Sequence, residues 1–423
     1  MHFVFTISLL FISLFVHSQV IPDISKSEVS RIENILSSDE MQGRQVFTPG
    51  IEKAAGFISK EFKDAGLNPL PGSRSYYQSF TMLNPSSPEI SATLNGSTID
   101  PKNIIAFTTD SILTITDEDH YQKVFVKKGD DFLSFILKYL EVDQNFLVII
   151  DTSFEARFKR LAGFHMPQFE GSGNRIFLLT ASDPKRFRIQ LKQKIQRQNL
   201  TNLVGIIPGK SRPEEFVIFS AHYDHLGIGK PDATGDSVYN GANDDASGTT
   251  AVIAMAKYFN KRKDNERTLI FAAFSAEEIG EFGSAYYSKK VNPDKVIAMF
   301  NIEMIGTESK WGKNSAYITG YDKTDMGAIL QKILADRKFK FYPDPYPEQN
   351  LFLRSDNATL AKKGVPAHTI STSKMDSEKY YHTPGDDINT LDLDNMTEII
   401  RAIALSARSI ISGKETPFRV KPE

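Results

Sequence analysis

From Asn202 onward, short apolar runs of strand length alternate with segments of helical pattern. The predicted strands are Leu203 to Ile207, Phe216 to Ala221, Leu269 to Ser275, Val296 to Ile302, Ala316 to Thr319 and Ala367 to Ser371. A helix is predicted from Ser247 to Arg262, and its apolar face consists of Val252, Ile253, Ala256 and Phe259. Strands that alternate with helices are typical of parallel sheets. The pattern therefore predicts an α/β fold for residues 200–413, with a mainly parallel central sheet flanked by helices.

The segment before residue 84 has a helical pattern instead. A short helix is predicted from a cap at Ser27 to about Leu36, and a second helix from Ile51 to Ala65, where Gly66 ends it. We assign residues 19–83 to an N-terminal helical part of the same domain.

Residues 84–199 change to short β-like runs separated by polar turns. Examples are Ile112 to Ile115, Gln122 to Val126 and Phe146 to Ile150. This character predicts a strand-rich inserted subdomain, and it contains no cluster of chemically active residues. Residues 414–423 are predicted to form a frayed tail.

The first 18 residues are predicted to be a signal peptide. Phe3 to Val16 is an apolar run too short for a comfortable membrane span, and Val16-His17-Ser18 precedes Gln19 with residues that a signal peptidase tolerates. The n-region carries no Lys or Arg, so an N-terminal membrane anchor is the alternative. We expect a bacterial periplasmic or secreted protein without stable membrane insertion.

Composition narrows the possible functions. The chain has 423 residues, of which 40% are hydrophobic and 24% charged, so it is long enough for a large globular core. The formal net charge of -2 leaves no basic footprint for nucleic acid. Because the chain has no cysteine, disulfides, thiolate metal sites and cysteine nucleophiles are excluded.

Histidine and acidic residues cluster where predicted strands end. The segments are His222-Tyr223-Asp224, Asn243-Asp244-Asp245, Glu277-Glu278, Glu303 and His382-Thr383-Pro384. In an open α/β sheet the loops at the carboxyl ends of the strands converge on one edge. Together these segments supply the imidazoles and carboxylates of a two-metal hydrolase.

Each segment also has a structural interpretation. Asp244 precedes a helix among small residues, so its carboxylate could bridge two divalent ions roughly 3.5–4 Å apart, or the turn could simply cap the helix. Glu277 and Glu278 are adjacent, so one could bind a metal while the other transfers a proton, or both could form the acidic first turn of a helix.

The histidines differ in their surroundings. Asp224 lies two residues after His222 in an extended segment, where it could orient the imidazole and fix its tautomer. His222 alone could equally be a hydrogen-bonded core histidine. His382 lies in a turn closed by Pro384 and Gly385, and such loops commonly carry ligands.

Taken in order, these segments resemble the M28 family of zinc-dependent peptidases, which includes aminopeptidase Y and leucyl aminopeptidase. The resemblance covers the N-terminal helices with their Gly43-Arg44 loop and then Asn202 to about Ile411, but not the middle insertion. It implies a zinc exopeptidase-like α/β fold. The insertion could resemble the protease-associated domain of some members, or it could be a lid or packing subdomain.

The resemblance implies two zinc ions per chain with five metal ligands: Asp244 bridging both ions, His222 and Glu303 at one, and Glu278 and His382 at the other. It also implies that Glu277 is the general base and acid and that Asp224 supports His222. The activity implied is removal of N-terminal residues from peptides with a free N-terminus, by a metal-bridging water.

This chain departs from the family pattern at two positions. Ser355-Asp356 resembles the family's Ser-Asp-His segment, but Asn357 replaces the histidine. Glu303 stands where many aminopeptidases of the family have aspartate; it keeps the oxygen ligands and adds a methylene.

Two alternatives share the same fold. A glutaminyl cyclase-like transferase would use one zinc ion and close a ring, although the short connection from Glu278 to Ser284 is more similar to the peptidases. A binding protein that has lost its metals would keep the fold, although all five ligand positions here carry competent side chains.

Overall fold

The structure is a computed structural model that describes residues 22–161 and 167–421. The predicted signal peptide lies outside the described residues. None of the helices within the described ranges is both long enough and apolar enough to span a bilayer.

The α-helices are α1 Lys26–Leu36, α2 Pro49–Asp64, α3 Phe132–Glu141, α4 Glu155–Leu161, α5 Ser247–Arg262, α6 Phe282–Lys290, α7 Met326–Ile333, α8 Ala358–Ala361, α9 Leu393–Ser406 and α10 Arg408–Ile411. Helix α5 has the predicted bounds. The N-cap of helix α1 is Ser25, two residues before the predicted cap at Ser27, because the side chain of Ser25 accepts the backbone N–H of Glu28.

The strands are β1 Asn68–Pro69, β2 Tyr77–Pro85, β3 Glu89–Leu94, β4 Ser97–Thr98, β5 Ile104–Phe107, β6 Ile112–Thr116, β7 Gln122–Val126, β8 Phe146–Ile150, β9 Gln168–Phe169, β10 Arg175–Leu179, β11 Phe187–Lys192, β12 Ile195–Ile207, β13 Arg212–His222, β14 Gly227–Ile228, β15 Val238–Tyr239, β16 Arg267–Phe274, β17 Val296–Ile302, β18 Ser315–Ile318, β19 Lys340–Pro343 and β20 Ala367–Ser371.

The central sheet has the order β19-β18-β20-β17-β13-β16-β12-β2-β9. Strands β20, β17, β13 and β16 run parallel to their neighbours in this set. Strand β18 is antiparallel to β20, and β12 is antiparallel to β16 and β2, so the sheet as a whole is mixed. The predicted α/β class is confirmed, and the parallel strands occupy the middle of the sheet.

Helices cover both faces of this sheet. On one face the strands pack against α1, α2, α5, α7 and α9 in the largest apolar cluster. Phe219 on β13 lies at its centre, with ring centroids 5.0 Å from Phe300 and 5.6 Å from Phe259. The other face packs against α6 and α8. Because the middle strands are buried on both sides, they read as continuous apolar runs.

The middle segment of the chain forms two four-stranded sheets, β5-β10-β8-β7 and β4-β3-β11-β6. Strands β2 and β12 belong to the central sheet and pair with each other antiparallel. The chain enters the middle segment after β2 and leaves it at β12. Two further apolar clusters hold it together, one of which includes Phe132 and Ile136 of α3.

The predicted fraying of the tail is wrong for residues 414–421. Arg267 donates hydrogen bonds to the Glu415 carbonyl and the Thr416 hydroxyl, and the Val420 N–H donates to the Gly364 carbonyl. A buried guanidinium needs several acceptors, and the tail backbone supplies some of them. Sequence pattern alone gave no indication of this pairing.

Candidate metal centre

All seven predicted site residues meet at the edge where the parallel strands end. His222 ends β13, Glu277 and Glu278 follow β16, and Glu303 follows β17. The remaining three are Asp224, Asp244 and His382. The loop-convergence argument from the sequence therefore places these side chains correctly in space.

Asp244 lies between two histidines. Its Oδ1 is 3.1 Å from Nε2 of His222, and its Oδ2 is 3.2 Å from Nε2 of His382. The side chain is 4% exposed. Each oxygen therefore faces a different imidazole, an arrangement that suits a carboxylate shared by two cations.

Glu278 completes the second side of this cluster. Its Oε2 lies 3.1 Å from Nε2 of His382, and its Oε1 lies 2.7 Å from Nδ1 of His225. His225, Asp244 and Glu278 each offer a ligand atom within 4.8 Å of the others. Sequence reasoning missed His225, although it stands directly after Asp224 in the first segment.

The tautomer of His222 follows from its hydrogen bond. Its Nδ1 lies 3.1 Å from the backbone carbonyl of Asp224, which can only accept, so Nδ1 carries the proton and Nε2 presents a lone pair. The Asp224 carboxylate is farther away, at 3.8 Å. Asp224 thus orients the imidazole mainly through its carbonyl rather than its side chain.

The carboxylate of Asp224 has other partners. It accepts the backbone N–H groups of Glu277 at 3.2 Å and Glu278 at 3.3 Å. Helix α6 begins only at Phe282, so the two glutamates lie in a loop before the helix and not in its first turn. Asp224 fixes that loop against the end of β13.

Several site atoms are buried without a hydrogen-bond partner among the described residues. They are Nε2 of His222, His225 and His382, and Oε2 of Glu303. Unpartnered buried polar atoms are costly unless something else satisfies them. Imidazole nitrogens and carboxylate oxygens are ligands for divalent metals such as zinc, so the residues present fit a metal centre.

Burial also separates the proton affinities of the two adjacent glutamates. It raises the pKa of Glu277 well above its usual range, helped by the negative charge of Glu303. Burial and Asp244 also act to raise the pKa of Glu278, but the neighbouring imidazoles of His225 and His382 outweigh them and lower it. The two adjacent carboxyl groups therefore differ in proton affinity, and that of Glu277 is the higher.

The Asp245 carboxylate links three segments of the site: the end of β13, the start of α5 and the loop after β17. Its carboxylate accepts the backbone N–H groups of His222 at 3.3 Å, Gly248 at 3.0 Å and Met304 at 3.1 Å. The bond from Gly248 is of the helix-capping type, at the start of α5. The two aspartates of this turn therefore differ: Asp245 accepts an N–H from the first turn of α5, and Asp244 faces the histidines.

Gly248 is needed for a close approach between α5 and β17. A Cβ atom there would lie 2.1 Å from the Ile302 carbonyl oxygen and 2.5 Å from the Asp245 carboxylate. The small residues after Asp244 thus serve helix-to-strand packing. The Asp244–Asp245 peptide bond is cis.

Three non-glycine residues in the left-handed region lie at or beside the predicted ligands. Ala276 has φ 64°, Met304 has φ 52° and His382 has φ 56°. Such conformations cost energy and cluster at functional sites.

Two charged residues outside the predicted set hold the backbone of the Asp244 loop. The Asp386 carboxylate accepts the N–H groups of Asn243 at 2.8 Å and Asp244 at 3.0 Å. The buried Arg44 guanidinium donates to the carbonyls of Tyr223 at 2.9 Å and Gly241 at 2.8 Å. The Gly43-Arg44 segment therefore contributes to the site as a support.

The Ser355-Asp356-Asn357 segment reaches the same region. The Asn357 amide donates to the Phe352 carbonyl at 2.9 Å and accepts from the Thr369 hydroxyl at 2.8 Å, so it joins the segment to β20. Asp356 is fully buried, and burial raises its pKa to about 6.

A cavity opens onto the cluster. Its empty volume is about 540 Å³, including solvent at its mouth. Asp244, Glu277 and Glu303 line it on the side of the cluster, and Tyr381 also contributes to its wall. The Tyr381 ring stacks on His382 with centroids 3.8 Å apart. A molecule in this cavity would contact the predicted ligands and Glu277 directly.

Fold and site together define an α/β protein with a cluster of histidines and carboxylates at the carboxyl edge of its sheet, and these residues fit a metal centre. The sequence model of peptidase family M28 matches residues 202–407, and this part of the chain belongs to that family. The matched residues include all seven predicted site residues.

Curated relatives agree with this assignment. The chain is 24% identical over 234 residues to aminopeptidase YwaD of Bacillus subtilis, covering 53% of this chain and 48% of that protein. It is 30% identical over 211 residues to leucine aminopeptidase 1 of Emericella nidulans, covering 47% of this chain and 52% of the relative. The alignments thus span about half the length of these relatives.

Solved structures show the same fold over nearly the whole chain. An aminopeptidase from Aneurinibacillus sp. strain AM-1 aligns with a TM-score of 0.55 at 16% identity, covering 95% of this chain and 96% of the other. A zinc aminopeptidase from Bacillus subtilis aligns with a TM-score of 0.55 at 17% identity, covering 93% and 97%. At these identities the comparison concerns the fold.

Proposed function

We propose that this protein is a zinc-dependent aminopeptidase that removes residues from peptides with a free N-terminus. The observation that carries the proposal is the position of Asp244, whose two carboxylate oxygens face His222 and His382 at 3.1 and 3.2 Å. The family of residues 202–407 and the names of the relatives support the same activity.

The site would hold two zinc ions. Asp244 would be shared, His222 and Glu303 would bind one ion, and Glu278 and His382 the other. The unpartnered nitrogens of both histidines and the unpartnered Oε2 of Glu303 support this division. When bound, zinc polarises a carbonyl and makes water a stronger nucleophile at neutral pH. His225 would hold the second oxygen of Glu278, so that the carboxylate keeps one orientation.

Glu277 would be the general base and acid. It lines the cavity together with Asp244 and Glu303, and Asp224 fixes its backbone. Burial raises its pKa, so its carboxylate can take a proton from the attacking water and deliver it to the leaving amine. The neighbouring Glu278 is engaged with two histidines and is less suited to that role.

The proposed metal centre would also select a free N-terminal amine. Asp244, Glu277 and Glu303 all contribute carboxyl groups to the wall of the cavity. With zinc bound at the centre, the free amine of an N-terminal residue could offer its lone pair to the second ion, whereas an acylated nitrogen has no lone pair to donate. This difference would make the enzyme an exopeptidase.

We also propose that the protein is exported, as a periplasmic or secreted enzyme. Support comes from the apolar run of residues 3–16. The absence of cysteine does not distinguish between compartments. Cell fractionation after expression of the full chain would show whether the protein is exported.

Metal analysis combined with matched peptides tests the proposed activity. Zinc is quantified in protein purified without chelator, and the same protein is assayed on pairs of peptides that differ only in N-terminal acetylation. We expect bound zinc and release of the first residue from the free peptides alone. Equal cleavage of both members of a pair, or no cleavage by zinc-loaded protein, would contradict the proposal. Conversion of a Gln-initiated peptide into its pyroglutamyl form would indicate cyclase chemistry instead.

A further inference from the structure

The cavity beside the metal centre contains one positive charge among its described lining residues. The carboxylates of Asp244, Glu277 and Glu303 belong to the centre, and Arg354 is the cationic member of the wall. Arg354 follows the short turn Leu351–Leu353 and directly precedes Ser355, which also lines the cavity. Arg354 and Ser355 are thus consecutive residues in the wall of the cavity that Asp244, Glu277 and Glu303 also line.

The guanidinium of Arg354 is not used to hold the fold together. Arg354 is exposed, and its guanidinium donates a hydrogen bond to Oε1 of Gln349 at 3.3 Å. Structural arginines of this chain differ: Arg31 pairs with Glu61 at 2.7 Å. The Arg354 fork is therefore available to a ligand, and a planar guanidinium matches a carboxylate in two parallel hydrogen bonds.

The remaining wall of the cavity is rich in hydroxyl groups. Its hydroxyl-bearing members are Tyr317, Thr319, Ser355, Thr369, Ser371, Ser373 and Tyr381, and its apolar members are Met304, Leu351 and Met375. A pocket that selects leucine is expected to be lined mainly by apolar side chains. Hydroxyl groups beside an arginine whose hydrogen bond is to a neutral amide suit a polar, negatively charged substrate group better.

We propose that Arg354 binds a carboxylate of the peptide substrate, so that the enzyme prefers substrates carrying one close to the scissile bond. This inference rests on the proposed aminopeptidase function. The carboxylate has two possible sources: the side chain of an N-terminal Glu or Asp, or the free C-terminus of a dipeptide. Both place the same chemical group within a short distance of the scissile bond.

Two matched substrate pairs distinguish these sources. Glu-Ala-amide against Gln-Ala-amide isolates a side-chain carboxylate, and Ala-Ala against Ala-Ala-amide isolates a C-terminal one. For the pair that contains the recognised carboxylate, we expect a ratio of kcat/KM on the order of tenfold or more, mainly through KM. For the other pair we expect a kcat/KM ratio near one, because Arg354 does not bind the carboxylate that this pair varies.

Variants then test whether Arg354 is responsible. In Arg354→Gln the preference should fall to about one, and in Arg354→Lys part of it should remain, because the charge is kept while the fork is lost. Arg188→Gln is the matched control, since Arg188 alternates to the exposed side of β11, remote in sequence from the site. The control should keep the full preference.

A binding measurement separates this inference from the proposed activity. Calorimetric titration of the Glu277→Gln variant with the same four peptides requires no turnover. Weaker binding of the carboxylate peptide after Arg354→Gln is added would support the inference even if no peptide is cleaved. Equal affinity for both members of each pair, or a preference that survives Arg354→Gln, would overturn it.

Discussion

The carboxylate of Asp224 accepts the backbone N–H of Glu277 at 3.2 Å, which links the end of β13 to the loop that follows β16. The same carboxylate accepts the N–H of Glu278 at 3.3 Å. The buried side chain of Asp224 therefore positions both glutamates, and the backbone carbonyl of Asp224 accepts a hydrogen bond from the His222 ring. Asp224 thus acts on three predicted functional residues without facing the cavity itself.

Replacing Asp224 by Asn should lower kcat about 10–100-fold, as expected when an outer partner of a metal site is lost. An amide has a single acceptor oxygen, so one of the two N–H groups would lose its partner. Steady-state kinetics on a free peptide measure the effect. Asp394→Asn is the control, since Asp394 is an exposed partner of Lys26. Unchanged kcat in Asp224→Asn would show that the glutamate loop does not depend on this carboxylate.

Glu277→Gln should leave zinc content nearly intact and reduce turnover by about 10²–10⁴-fold, the usual contribution of a general acid or base. The adjacent Glu278→Gln should instead lose zinc, because its carboxylate faces His225 and His382. Zinc analysis and kinetics on both variants distinguish the two roles. If both variants kept zinc and lost activity equally, the division between proton transfer and metal binding would be wrong.

His225→Phe should weaken zinc binding about 10–100-fold, because the Glu278 carboxylate would lose the partner that fixes its orientation. Phenylalanine keeps a ring of similar size in the buried site. Competition for zinc with a chromophoric chelator gives the affinity. An affinity equal to that of the unchanged protein would mean that Glu278 needs no support from this histidine.

Glu33 should make stability fall as the pH rises. Burial raises its pKa from 4.5 to about 8, so between these values the folded protein keeps a proton that the unfolded chain has lost. The stabilising effect is complete below the unfolded pKa and is lost as the pH rises through the folded one, with a slope of up to about 1.4 kcal/mol per pH unit.

Unfolding by urea at pH 5.5, 6.5 and 7.5 tests this effect. The free energy of unfolding of Glu33→Gln, relative to the unchanged protein, should increase over the series. Glu52→Gln, at an exposed position of α2, serves as the control and should show no trend. A difference that is constant with pH would show that Glu33 is ionised in the folded protein.

Much of the fold could be predicted from the pattern of apolar residues in the sequence. The bounds of α5 and β17 agree with the prediction because both are long, strongly patterned and buried. Pattern says less about strand direction and order, which depend on contacts between distant segments. A mainly parallel sheet was predicted, but β12 is antiparallel to β16 and β18 is antiparallel to β20, so the sheet is mixed.

Sequence reasoning named seven residues that meet at this edge of the sheet, but not His225, although its imidazole is also a possible ligand. Residues that act through backbone hydrogen bonds were harder to find: Asp245 and Asp386 carry the same carboxylate as Asp244, yet accept N–H groups. His225 was missed because a second histidine in one segment has no distinctive spacing. Roles of this kind depend on three-dimensional contacts.

The central claim is that the Asp244 cluster removes N-terminal residues with zinc bound. The most direct measurement titrates zinc into the metal-free protein while mass spectrometry quantifies the products of one unblocked peptide. We predict no product without zinc, sequential loss of N-terminal residues once it is added, and saturation at about two equivalents. Cleavage that is independent of zinc, or products that arise from internal bonds, would contradict this account.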